Sequence, residues 1–315
     1  MDIIDMHCDT ILKCWRNPDI KLRENEEHLS LVKMKKAGAL AQIFAIYISK
    51  EDLGEDGPFA FYQKVYQTYC KELSDNRDLI LPALCYQDIM DHKKDEKMSA
   101  ILAVEDGVFT EGEIEHLDTA YSDGVRLVTL LWNYENQLGF PNHDEAEEHR
   151  KGLKDFGFQV VERMNELGMI VDVSHLSEGG FYDVASCCKG PFVASHSCAR
   201  ALCNHRRNLS DAQLKMIGQS GGIVGINFEE TFLNDLGKPF CFEFAVAHCK
   251  HIADLAGIEA VGLGSDFDGI LHTGEIKDYE NYPLLLARLE KVFSTKEMEL
   301  ITCGNALRVI REVIG

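Results

Sequence analysis

Eight short apolar, β-branched runs recur along this chain, and each ends in polar or charged residues. They are "DIIDMHCD" (2–9), "ALAQIFAIYI" (39–48), "ILAVEDG" (101–107), "GVRLVTLLWN" (124–133), "MIVDVSH" (169–175), "PFVASHS" (191–197), "GGIVGINF" (221–228) and "AVGLGSDFDG" (260–269). Near-continuous apolar runs suit strands covered on both faces, as in a parallel sheet. Helical patterns with recognisable starts lie between them. Ser177 and Ser210 are capping candidates, and "STKE" (294–297) reads as a capping box. Strand and helix alternating eight times predicts an α/β protein with a (β/α)₈ TIM-type barrel; an open doubly wound sheet is the alternative. The 315 residues suit one barrel domain spanning 1–315, with the polar, helical stretch 49–100 as an insertion-like decoration.

The strand ends carry the chemistry. Successive side chains of a strand alternate in direction, so His7 and Asp9 of "DMHCD" are expected to project together while Cys8 points into packing. One His-x-Asp is more often incidental than metal-binding. Here Glu105, His175, His196 and Asp266 also fall at the ends of apolar runs. In a parallel barrel all strand C-termini meet at one rim, where active sites are built. Individually these are a surface carboxylate, two core histidines and a turn residue; together they predict a metal centre. Imidazoles and carboxylates suit zinc or a similar divalent ion, and manganese or cobalt fits the same ligand types. The set exceeds the needs of one ion. The expectation is therefore two ions, one held by His7, Asp9 and Glu105 and the other by Glu105, His175 and His196, with Glu105 as the bridge and a hydroxide between them as nucleophile. "HRRNLSD" (205–211) follows the sixth run. Arg207 there could clamp a substrate carboxylate; a solvated surface pair is the alternative.

The formal net charge of −20 argues against nucleic acid and anionic membranes as partners. The N-terminus lacks the pattern of a signal peptide, and no run is long and apolar enough to span a bilayer, so a cytoplasmic location is expected. The 11 cysteines show no zinc-knuckle spacing and read as buried small hydrophobes.

"DMHCD", "AVEDG", "VDVSH", "VASHS", "RRN", "GSDFDG" and "GNALRV" (304–309), in this order, resemble the membrane (renal) dipeptidase family of zinc peptidases over nearly the whole chain. The resemblance implies a barrel, a binuclear zinc centre and hydrolysis of dipeptides, including some with a D-residue at the C-terminal position. It also implies a homodimer, and the sequence looks like a soluble, bacterial-type member. By position, His7, Asp9, Glu105, His175 and His196 match the metal ligands. Arg207 matches the grip on the substrate's C-terminal carboxylate, and Asp266 matches the acidic residue that binds near the substrate amine and moves protons. Asp268 is expected to be structural. The family's oxyanion-stabilising histidine has no counterpart in "TLLWNYENQLG" (129–139), where Tyr134 is the candidate substitute for catalysis and substrate binding and His143 is the other candidate. The rival readings are an amidohydrolase-like barrel acting on another amide, lactam or ester, and a metal-binding protein with little or no catalysis.

Overall fold

The computed structural model describes residues 1–271 and 274–315. Its strands are β1 (Ile3–Cys8), β2 (Ala39–Tyr47), β3 (Ile80–Pro82), β4 (Met98–Glu105), β5 (Val125–Thr129), β6 (Ile170–Asp172), β7 (Val193–Ser197), β8 (Ile223–Ile226) and β9 (Val261–Leu263). All pairings among them are parallel. Pairing of β1 with β9 and of β2 with β4 closes eight strands into a (β/α)₈ barrel. Each of the eight apolar runs supplies one barrel strand. The sequence did not reveal β3, which lies in the stretch expected to be helical. This three-residue strand pairs with the first residues of β4, below the point where β5 takes over that edge. Around it run the helices Gly57–Asp75 and Tyr86–Lys94.

Two apolar layers hold the barrel. Ile4, Met6, Ile43, Ile101, Leu127, Ile170, Val193 and Ile223 form an inner cluster, to which the C-terminal helix Asn305–Val313 adds Ala306, Val309 and Ile310. The larger outer cluster lies between sheet and helices and contains Cys8, as its expected outward direction requires. Burying one such aliphatic side chain contributes roughly 1.5–3 kcal/mol. The capping residues perform as read from the sequence: Ser177 accepts from Gly180 N, while Ser210 with Gln213 and Ser294 with Glu297 form capping boxes. Each such cap contributes about 1 kcal/mol. Asn305, in the closing "GNALRV", donates to the carbonyls of Ile258 and Val261 at 2.8 Å each and ties the last helix to the entry of β9.

Two strands break register just where they approach the rim. Between Asp5 and Cys8, β1 advances three residues while β2 advances two, and β7 does the same against β8 between Ala194 and Ser197. Such bulges reverse the alternation locally. Ile4 and Met6 face the inner cluster, and the extra residue in β1 lets His7 turn inward as well. Val193 faces inward too, and the break in β7 brings His196 to the same interior.

Candidate metal centre and its cavity

His7, Asp9, Glu105, His175 and His196 come together at the C-terminal rim. Glu105 Oε1 lies 3.1 Å from His175 Nε2 and 3.4 Å from His196 Nε2, and those two nitrogens are 3.0 Å apart. Glu105 Oε2 turns the other way, 3.7 Å from His7 Nε2. His7 Nε2 is also 3.4 Å from Asp9 Oδ2 and 3.9 Å from Asp266 Oδ1. Donor atoms bound tetrahedrally to one zinc-sized ion at about 2.0–2.2 Å sit about 3.4 Å from one another. The donor set therefore fits a divalent ion.

The polar inventory fits in the same way. Both ring nitrogens of His7, Oδ1 of Asp9 and Nε of Arg207 are buried without a hydrogen-bond partner among the described residues. Buried polar atoms are almost always satisfied, so an unpartnered cluster asks for a ligand. The histidines that do have partners use the nitrogen facing away from the cluster. His175 Nδ1 is 2.9 Å from Asn133 Oδ1, and His196 Nδ1 is 2.7 Å from Ser195 Oγ. Ser195 in turn donates to Asp172, which also accepts from Thr129. Contacts of this kind fix the tautomer and leave Nε2 for an ion.

Electrostatics follow from burial. Burial, helped by nearby Arg207 and His7, holds His175 and His196 well below the usual imidazole range, in the neutral form that binds metal. Burial pushes Glu105 well above the carboxylate range. Burial also opposes charge on His7, but Glu105, Asp9 and Asp266 outweigh it and raise His7 to about 10. Asp266 is pushed up to about 6, by burial first and with the Asp9 charge adding to it, against the pull of His7, Asn227 and Arg207.

Four non-glycine backbone outliers mark the same rim: Asp106, His175, Asp266 and Asp268 have φ values of 80°, 68°, 62° and 70°. Non-glycine residues there cost about 1–3 kcal/mol each, and such strain collects at functional sites. Gly269 completes the turn; a Cβ at that position would collide with both Asp9 Oδ2 and Asp266 Oδ1.

A cavity of about 540 Å³ opens over the cluster. Arg207 forms part of its wall. It is 6% exposed, its guanidinium donates to His196 O at 3.2 Å, and it lies 5.4 Å from the Phe232 ring. The neighbouring Arg206 also lines the cavity and pairs with Asp144. Asp266 also lines the cavity, and Asn227 Nδ2 donates to its Oδ2 at 2.9 Å, leaving Oδ1 toward His7. Asp268 anchors the rim: it accepts from Thr10 Oγ1 and His28 N, while its own N–H donates to His28 Nδ1.

Tyr134 is absent from the residues that line this cavity: it is 44% exposed, its ring packs on Trp132 at 5.3 Å and it lies under Lys50 Nζ at 3.6 Å. The residues of that loop that reach the cavity are Trp132 and Asn133, joined by Tyr47 from β2. His143 is exposed, and its Nδ1 accepts from Glu145 N. Sequence reasoning missed Asn133, Asn227 and the Asp172–Ser195 pair. Each is an uncharged or strand-embedded polar residue with many ordinary uses, and only their position beside a run's end could have pointed to them.

Comparison with known proteins agrees with this geometry. The family model described as membrane dipeptidase (peptidase family M19) matches residues 1–314. An uncharacterized dipeptidase of Schizosaccharomyces pombe is 30% identical over 98% of this chain and 79% of that protein. Among solved structures, a metallopeptidase from Rhodobacter sphaeroides superposes with a TM-score of 0.91 at 26% identity, covering 99% of both chains; it is liganded with a phosphinate mimic of the dipeptide L-Ala-D-Ala. The dipeptidase AC, a metallopeptidase of family M19, gives a TM-score of 0.90 at 28% identity over 100% of this chain and 99% of its own.

Proposed function

Because this chain belongs to the membrane dipeptidase family (peptidase family M19), a metal-dependent dipeptidase by that membership, we propose that it holds two zinc ions astride Glu105 and cleaves dipeptides whose two termini it recognises. The split of the Glu105 oxygens between His175/His196 and His7 carries this reading. His7, Asp9 and Glu105 would hold one ion, and Glu105, His175 and His196 the other. Bound there, divalent ions supply Lewis acidity toward the peptide carbonyl and lower the pKa of water toward neutrality.

The remaining steps belong to the chain's own residues. Arg207 binds the substrate's C-terminal carboxylate; its buried Nε has no other partner among the described residues. Asp266 faces the substrate amine. Its Oδ1 takes the proton released by the attacking water and returns it to the leaving nitrogen, as general base and then acid. Asn227 holds the other oxygen and so fixes which one is used. The cavity accepts a small substrate, and a carboxylate grip at one end with an amine site at the other restricts turnover to dipeptides. A homodimer is carried by the resemblance alone.

The test is amino-acid release by metal-loaded protein from L-Ala-L-Ala, L-Ala-D-Ala and their N-acetyl and C-amide derivatives. The reading expects release from the free dipeptides, loss with chelator and little release from the blocked forms. Equal turnover of blocked substrates would indicate a general amidohydrolase instead.

A further inference from the structure

One wall of the cavity is a single helical face. Helix α1 (Thr10–Arg16) starts from Asp9, and Asp9, Leu12, Lys13 and Arg16 all line the cavity. Their spacing of i, i+3, i+4 and i+7 is one face of an α-helix. At 1.5 Å per residue, Lys13 stands about 6 Å and Arg16 about 10 Å along the axis from Asp9. Asp9 abuts Asp266 at Gly269, so this face starts at the end of the cavity assigned to the substrate amine.

The two cations on this face differ. Arg16 is engaged: its Nε and Nη2 donate to Asp52 Oδ2 at 2.9 and 2.6 Å, and Nη2 also reaches Ser49 Oγ at 3.2 Å. Lys13 makes a looser ion pair, Nζ to Glu27 Oε2 at 3.5 Å, between side chains about one-third exposed. An ammonium has three donors, so Lys13 can keep Glu27 and still take a second carboxylate. Glu27 then serves to hold Lys13 at the cavity edge. Asp268, another acid lining the cavity, is engaged by Thr10 and His28.

We infer that Lys13 forms a side-chain subsite for an acidic N-terminal residue, so that the cavity favours dipeptides beginning with glutamate or aspartate. This rests on the dipeptidase reading and on the amine lying at Asp266. The subsite is open to solvent on one side, which keeps its contribution modest: a screened pair in such a setting, set against repulsion of a lysine side chain, corresponds to a preference of about tenfold.

The experiment compares kcat/KM for L-Glu-L-Ala, L-Lys-L-Ala and L-Ala-L-Ala in the metal-loaded wild type and in Lys13→Met and Lys13→Glu. The wild type favours Glu-Ala over Lys-Ala; Lys13→Met brings the ratio toward unity, and Lys13→Glu reverses it. The lysine is partly exposed in a helix, so both variants are expected to fold. A ratio that Lys13→Glu leaves unchanged, with Ala-Ala still hydrolysed, overturns the subsite and leaves the dipeptidase reading standing. Absence of turnover of all three substrates by the wild type overturns both.

Discussion

Glu105 sets one carboxylate oxygen 3.1 Å from His175 Nε2 and turns the other toward His7, at 3.7 Å. Tyr47 and Thr129 are its register partners on either side, so β4 holds it centrally between β2 and β5. Nothing in a stable barrel requires a carboxylate buried to 3% exposure between three imidazoles. Removing ions from water is costly unless partners compensate, and a divalent cation is the partner proposed for this arrangement.

The partners behind the histidines are expected to tune metal affinity. Asn133→Ala frees His175 Nδ1, and Ser195→Ala frees His196 Nδ1. Each weakens metal binding by about 10–100-fold, read by titration of the apoprotein with zinc, with little change in thermal stability of the metal-free protein. Unchanged affinity in both would separate these side chains from the metal site.

Gly269→Ala tests the packing of Asp9 against Asp266. Gly269 is exposed, so the fold should tolerate a methyl group, but that methyl must displace both carboxylates. Since an error of about 1 Å in a catalytic group can cost roughly 10²-fold, kcat is expected to fall by an amount of that order while the melting temperature moves little. Wild-type kinetics would show that neither oxygen position matters.

Arg207→Met removes the proposed carboxylate grip. Loss of one partner of a buried charge pair costs about 2–5 kcal/mol, so kcat/KM for L-Ala-L-Ala should drop by roughly 30-fold or more. The drop should be far smaller for the dipeptide amide, which has no carboxylate to lose. An equal loss on both substrates would assign Arg207 to structure.

Acid stability should depend on His248. Its Nδ1 accepts from Ala199 N at 3.0 Å and its Nε2 donates to Leu233 O at 3.1 Å, tying the segment after β7 to the helix Glu230–Leu233. Burial, with the His251 charge adding to it, lowers this histidine to about 4, while the Leu233 carbonyl pulls the other way. The unfolded chain takes up the proton first, at about 6.5. The stability His248 gives is therefore complete above that pH and is lost progressively as pH falls toward 4, amounting to about 3 kcal/mol. Melting temperatures of the metal-free protein between pH 7 and 4 should fall more steeply for the wild type than for His248→Gln. Parallel slopes would contradict the assignment.

Much of this site is legible in the sequence because it obeys strand geometry. Runs that end in His, Glu or Asp give both the barrel and its rim, and the same logic sends Cys8 outward. The bulges are not legible. Counted from Ile4 and Met6, strict alternation would turn His7 away from the interior, and the extra residue in β1 corrects this; the same holds for His196 in β7. Counting outward from His7 to Asp9 did not have to cross the whole register break, since His7 lies within it. Tyr134 is a related case: the segment after β5 is irregular, so its place in the sequence beside Asn133 does not fix its direction. Strand β3 is three residues long and ends in proline, too short to show a period.

The most direct measurement is anomalous diffraction from crystals of the zinc-loaded protein, recorded on both sides of the zinc absorption edge. The account predicts two peaks about 3.5–4 Å apart, one beside each oxygen of Glu105. A single peak that Glu105 does not touch, or none in a protein that still hydrolyses dipeptides, would contradict it.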